Sequence, residues 1–449
     1  MNIRILLALL LTLAPALSAA AAPTLADDMT PEGVSTHMAA FQRIADAHGG
    51  NRAAATPGYA ASLRYVEGAL RGAGYTVTRQ PFTIDSSRTL AETGRILGAA
   101  PLELEPAIME YSPSTPEGGL EAALTLPQEP LGCALDDFVG VSGKIVLIER
   151  GICTFGQKAA NAAAAGAVAA LISNTSDEPL YASLGDAANT VPTAGITRSL
   201  GEALRNRAER GDVRVSLELR TQTAIRPTAS LIAEWPGLEP DGPDSPDNVH
   251  MLGAHLDSVE AGPGINDNGS GSALVLELAL RLAETGDASG ARFAFWGAEE
   301  LGLLGSRHYV ASLSPDEVRG LRAYLNFDMV SSPNGALFTY GDPELTTRFQ
   351  RALKARGLLL AMTDLGGSSD HAPFSEAGVP VAGLFTGASG DKSRGQARAY
   401  GGDAGEPFDA CYHQACDTLQ DVTTPTSERI LEVIADAAAD TLQELLAAR

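Results

Sequence analysis

Residues 249–283 read VHMLGAHLDSVEAGPGINDNGSGSALVLELALRLA, and this stretch decides the fold. The apolar run 249–254 is a short buried strand, and residues 273–283 carry apolar side chains at helical spacing. A Gly- and Asn-rich loop joins the two. Outward from this unit the alternation repeats: strand 292–296, helix 303–312, strand 323–327 on one side, and strand 231–235 on the other. Further back, residues 34–72 are helical and 75–82 alternate like a strand. A last helix is predicted over about 427–448, with an apolar stripe at Ile430, Val433, Ile434, Leu442 and Leu445. Alternation at this spacing predicts an α/β fold, a mixed central sheet with helices on both faces.

Between 98 and 223 the character changes. Short β-like runs at 145–148 and 169–172 flank an Ala-rich helix at 157–166, and Pro and Gly are dense. The simplest organisation is one α/β domain, 23–97 and 224–449, interrupted by a β-rich insertion at 98–223. A chain of 449 residues is long enough for both.

Residues 1–22 read as a secretory leader: Arg4 precedes an apolar run at 5–17, then small residues at Ser18, Ala19 and Ala20. The run is too short to span a membrane, which takes roughly 20 apolar residues. No Cys follows it, so no lipid anchor is indicated. The protein is expected to be secreted or periplasmic, without a stable membrane anchor. Export makes disulfides the natural reading of the four cysteines, paired Cys133 with Cys153 and Cys411 with Cys416. Neither pair has the C-x-x-C spacing of a metal site. The balance of 32 Lys and Arg against 55 Asp and Glu, a net charge of −23, disfavours nucleic acid and anionic membrane surfaces as partners.

In open α/β sheets the ligand site lies beyond the carboxyl ends of the strands. His255 and Asp257 stand there at i and i+2, on one face of the strand end. That spacing lets Asp257 hold one ring nitrogen of His255 while the other nitrogen binds a metal. Asp267 follows in the Gly- and Asn-rich loop. Glu299 and Glu300 follow strand 292–296; one carboxylate can ligate while its neighbour takes a proton from the attacking water. Asp328 follows strand 323–327, and His413 sits inside the tight Cys411–Cys416 loop. Taken singly, each has a plain explanation: a solvated loop Asp, two carboxylates at a helix N-terminus, a strand-end cap. Together His255, Asp267, Glu300, Asp328 and His413 supply two imidazoles and three carboxylates, enough for two ions if one carboxylate bridges. Mixed N and O ligands favour zinc, with manganese or cobalt as substitutes.

The ordered motifs HGGNRAAATPGYAAS, HLDS, GINDNGSG, EELGLLGS, NFDM, SDHAPF and CYHQACD resemble the secreted bacterial co-catalytic zinc aminopeptidases of the leucyl aminopeptidase, aminopeptidase S and aminopeptidase Y type. That resemblance implies a zinc-peptidase fold of the phosphorylase/hydrolase-like kind and two zinc ions per chain. It implies that His255 and Asp328 hold one ion, Glu300 and His413 the other, with Asp267 bridging. Glu299 is then the general base, and Tyr412 helps polarise the scissile carbonyl. The substrates implied are peptides with a free N-terminus and an apolar first residue, and the enzyme is expected to be a monomer. The insertion, from GKIVLIERGICTFGQK and the Ala-rich helix, resembles a protease-associated domain, in which Lys158 and Glu149 are expected to be surface or capping residues.

One position departs from the pattern. Ser368 stands where similar enzymes carry an Arg that contacts substrate, and Arg394 or Arg398 is the candidate replacement. Among rivals, Ser369, Asp370 and His371 are consecutive and cannot converge as a triad, and no G-x-S-x-G elbow exists. A dinucleotide fingerprint fails because position 274 is Leu. A zinc acyltransferase of the glutaminyl cyclase type or a carboxypeptidase on the same fold, and a non-catalytic binding protein, are the remaining alternatives. The full ligand set argues against the last.

Overall fold

The computed structural model describes residues 24–98, 101–185, 190–211, 213–236, 248–358 and 360–448; the expected leader at 1–22 lies outside them. The chain divides into two units, Met1–Phe82 with Pro227–Arg449, and Thr83–Arg226. Both divisions fall inside long strands, β1 (Thr76–Leu97) and β2 (Arg214–Glu234). A strand that runs through a boundary leaves no Gly, Pro or polar break to mark it. That is why the expected limits differ from those observed, by a few residues at 223 and by much more at 98.

The sheet of the first unit adds β3 (Val249–His255), β4 (Ala291–Trp296), β5 (Leu321–Phe327), β6 (Phe338–Gly341), β7 (Ala361–Met362) and β8 (Val381–Phe385), in the order β7-β6-β8-β5-β3-β4-β2. The four middle strands β8, β5, β3 and β4 are parallel; β6 runs antiparallel to β8 and parallel to β7, and β2 runs antiparallel to β4. From β3 the chain moves to β4 on one side and then crosses back to β5 on the other. The strand order therefore reverses between β3 and β5, and a crevice opens past their carboxyl ends.

Alternate residues of the strands feed two cores. Leu252 and Ala254 of β3 and Leu325 and Phe327 of β5 join one cluster, while Met251 and Tyr324 join the other. The larger cluster packs under α1 (Pro31–Ala47), α2 (Pro57–Gly72) and α3 (Gly271–Glu284). Helix α3 is buried along almost its whole length, which is why its sequence is nearly continuous in apolar residues. Its first residue must be Gly, since a Cβ on Gly271 would lie 2.1 Å from the carbonyl oxygen of Phe327. Helices α1 and α2 and the C-terminal Pro425–Ala447 helix all start on a Thr-Pro pair, with Thr30, Thr56 and Thr424 as caps. The Thr oxygen accepts an orphan N–H, and Pro needs no partner at the first position.

On the opposite face Phe374 stacks on Tyr324 at 3.9 Å between ring centroids and tilts against Trp296 and Tyr309. It seats the short helix His371–Glu376 on the sheet. Removing a fully buried ring at such a position costs about 3–5 kcal/mol. A Phe374→Ala protein is expected to show that loss in chemical denaturation, by a lower midpoint at unchanged slope.

The second unit is more than β-rich. Strands Leu120–Thr125, Ile145–Glu149, Ala169–Ser173 and Thr193–Ile196 are mutually parallel, and the helices Phe155–Ala164 and Arg198–Ala208 accompany them. The Cys133–Cys153 disulfide closes here. Lys158 is not a surface residue: it is fully buried, and its ammonium donates to the carbonyl of Leu131. Glu149 is half-exposed and pairs with Arg205 at 2.6 Å.

Candidate metal centre

The charged residues of the crevice follow strand ends or are held by a staple. His255 ends β3, Asp328 follows β5, and Glu299 and Glu300 come just after β4. Asp267 lies in the turn ahead of α3, and His413 in the loop closed by the Cys411–Cys416 disulfide. Asp267 sits between the imidazoles: its Oδ1 is 3.2 Å from His255 Nε2 and its Oδ2 3.1 Å from His413 Nε2. Asp328 Oδ1 lies 3.4 Å from His255 Nε2, and Glu300 Oε2 3.2 Å from His413 Nε2. Glu299 stands further out, 3.9 Å from His255 Nε2. Potential ligand atoms cluster as His255 with Glu299 and Asp328, and as Asp267 with Glu300 and His413.

Electrostatically the cluster asks for cations. Burial pushes the Glu299 carboxyl well up and holds Glu300 at about 7, where the charge of Asp267 adds to the effect. Burial also holds Asp370 at about 7. His413 is driven the other way from its desolvation, up to about 10, by Asp267 and Glu300. Glu300 Oε1, Asp328 Oδ1 and Asp257 Oδ2 are buried without a hydrogen-bond partner among the described residues. Among the described residues no Lys or Arg lines the cavity, which measures about 380 Å³. Buried carboxylates without counter-charge are costly. Two imidazoles among them make the set suited to zinc.

The surrounding bonds differ in part from expectation. His255 Nδ1 faces the backbone carbonyl of Asp257 at 3.2 Å, while the Asp257 carboxylate is 3.8 Å away. That carboxylate instead accepts the N–H of Glu299 at 3.2 Å. Ser369 and Asn326 were not anticipated. Ser369 Oγ donates to Asp328 at 2.5 Å and accepts from Asn326 Nδ2 at 2.8 Å, which fixes the carboxylate. Ser369, Asp370 and His371 reach three separate partners, Asp328, Ser306 and the carbonyl of Gly366, so no triad forms. Tyr412 stacks on the ring of His413 at 3.8 Å and lines the cavity. Four non-glycine residues with left-handed backbone angles, Ala298, Leu303, Met329 and His413, flank the charged cluster. Such angles cost energy and concentrate at functional sites.

Ser368 lines the cavity, its hydroxyl turned to the carbonyl of Leu365 at 2.6 Å. Neither Arg394 nor Arg398 takes its place. Both are exposed on the helix Arg394–Tyr400, and neither lines the cavity.

Residues 231–438 match Peptidase family M28, and residues 120–204 match the PA domain. The chain is 40% identical to the probable lipoprotein aminopeptidase LpqL of Mycobacterium tuberculosis, over 89% of this chain and 83% of that protein. It is 38% identical to an aminopeptidase of Pseudomonas aeruginosa, over 89% and 78%. Among solved structures, the aminopeptidase from Aneurinibacillus sp. strain AM-1 superposes with a TM-score of 0.76 at 28% identity, covering 94% of this chain and 95% of that one. BSAP, a zinc aminopeptidase from Bacillus subtilis, gives 0.71 at 28% identity, covering 92% and 95%. The strand-end ligand cluster, the inserted second unit and these likenesses agree, and the chain belongs to peptidase family M28 and carries a PA domain.

Proposed function

We propose that this chain is an exported zinc aminopeptidase that uses two zinc ions to release an apolar first residue from peptides. The observation that carries the two-ion reading is Asp267, whose two oxygens face different imidazoles. His255 and Asp328 would hold one ion, Glu300 and His413 the other. When bound, the ions supply Lewis-acid activation of water and of the scissile carbonyl.

The rest falls to the chain's own side chains. Glu299 takes a proton from the attacking water and delivers it to the leaving amine. Its burial favours holding that proton between the two steps. Asp257 fixes the backbone that carries this base through the N–H of Glu299. Burial keeps the Tyr412 phenol protonated, so it can donate to the carbonyl oxygen. Leu303, Met329, Leu365, Phe385 and Ala388 supply an apolar wall for the first side chain. Among the described residues no Lys or Arg side chain lines the cavity to pair with a substrate carboxyl terminus, which favours a free amino terminus there. The leader at 1–22 and two disulfides support export. Among the described residues, no helix is long and apolar enough to cross a membrane.

The test is hydrolysis of leucyl and N-acetyl-leucyl anilides by the purified mature protein, before and after chelation and zinc return. Only the free-amine substrate should be cleaved, and only with metal present. Equal cleavage of the blocked substrate would defeat the aminopeptidase reading. Full activity in metal-stripped protein would defeat the metal mechanism.

A further inference from the structure

Two buried ionisable side chains outside the ligand set grip the loop that joins His255 to Asp267, from opposite sides. Arg52, on the segment between α1 and α2, is fully buried. Its guanidinium donates to three carbonyls of this one loop: Nη1 to Leu256 at 2.5 Å, Nε to Pro263 at 2.9 Å and Nη2 to Gly264 at 2.5 Å. The first of these residues adjoins His255, and the last two precede Asp267. One planar group thus ties the start of the loop to its end. The backbone of Arg52 adds a bond to Ser258 Oγ at 3.0 Å, and its guanidinium lies 5.0 Å from the Phe41 ring centroid. Among the described residues no carboxylate pairs with it directly. Burial pulls its pKa down to about 10, and Asp417 is the strongest of the charges opposing that shift.

Asp417 approaches the loop from the other side. Its carboxylate accepts the N–H of Asn266 at 2.7 Å and of Asp267 at 3.0 Å, and its own carbonyl accepts that of Ile265 at 3.2 Å. It directly follows Cys416, the end of the stapled loop that carries His413. The backbone of residues 256–267 therefore offers carbonyls to a buried guanidinium and amides to a buried carboxyl group. We infer that Arg52 and Asp417 are positioning residues, a two-sided clamp that sets where the Asp267 carboxylate stands between the two imidazoles. Neither touches substrate or metal.

The inference rests on the zinc reading above, so zinc affinity is the measurement. The clamp predicts what conservative changes do. Asp417→Asn keeps the shape but turns one oxygen into a donor facing an N–H. Arg52→Lys keeps the charge but gathers its donors on one atom, which cannot span three carbonyls. Each variant, as full-length mature protein, is titrated with zinc against a chelator of known affinity, and the thermal midpoint of its metal-free form is compared with wild type. Weakening of zinc binding by about 10- to 100-fold is expected, the range seen when groups behind metal ligands are changed. Activity should return in part at excess zinc. Affinity within twofold of wild type in a folded variant overturns the clamp. Should either variant not fold, Ser258→Ala removes the bond from the Arg52 N–H together with the hydroxyl's own bonds to the Val259 and Gly262 carbonyls of the loop, and a few-fold loss is expected; no loss counts against the clamp. Wild type that binds no zinc overturns the metal reading instead, so the two failures are distinct.

Discussion

A Glu299→Gln enzyme is expected to lose about 10²- to 10⁴-fold in kcat, the usual worth of a general base, while KM stays close to wild type and two zinc ions remain bound. That corresponds to about 3–5 kcal/mol in the activation barrier. Gln keeps the shape and removes only the ability to accept a proton. Geometry makes the experiment decisive, because Glu299 reaches the His255 side of the cluster as well as the space above it. Its oxygen is 3.9 Å from His255 Nε2, against 3.2 Å for Asp267 and 3.4 Å for Asp328. A base at that distance leaves the ligand set intact when changed. A ligand does not: zinc affinity would then fall together with kcat, and Glu299 would have to be reassigned to metal binding. Full activity in the variant would remove Glu299 from the mechanism altogether.

What the sequence made legible follows a physical pattern. Strands β3, β4 and β5 were readable because each is a short apolar run flanked by polar turns, and their ends put His255, Glu299, Glu300 and Asp328 in plain view. His413 was readable because two closely spaced cysteines bracket it. Strands β6 and β8 were not read: each is only four or five residues long and lies beyond the clear strand-helix alternation. The unit boundaries were hidden inside continuous strands. Positioning residues were the least visible. Arg52, Asn326, Ser369 and Asp417 lie far apart in the chain and are brought to the crevice only by the fold, so no local spacing announces them. Asp257 meets the His255 ring through its backbone carbonyl and takes the N–H of Glu299 on its carboxylate, where a carboxylate-imidazole bond was expected.

Removing the metal should both abolish activity and reverse how stability depends on pH. In the metal-free protein Glu300 and Asp370 are held at about 7 and Asp417 at about 8, each chiefly by burial. These values exceed the ordinary carboxyl values of 4.5 and 3.8. A raised value in the folded state means that folding takes up protons. The stabilisation is complete below about pH 4 and is lost as pH rises through 7 to 8. His413, raised to about 10, has the same sign. Asp267 has the opposite sign, held low by its two imidazoles against its burial, and loses its contribution only as pH falls below about 4. Chelated protein should therefore melt at rising temperature as pH is lowered from 8 to 5. With zinc bound the carboxylates stay ionised, protons compete with the metal, and the midpoint should fall over the same interval. Ligand occupancy at 1,000 times Kd is worth about 4 kcal/mol, so the two curves should lie furthest apart near pH 8 and converge toward pH 5. Calorimetry with and without chelator measures both curves. Parallel curves would mean that the buried carboxylates do not exchange protons for metal, and that the cluster is not the zinc site.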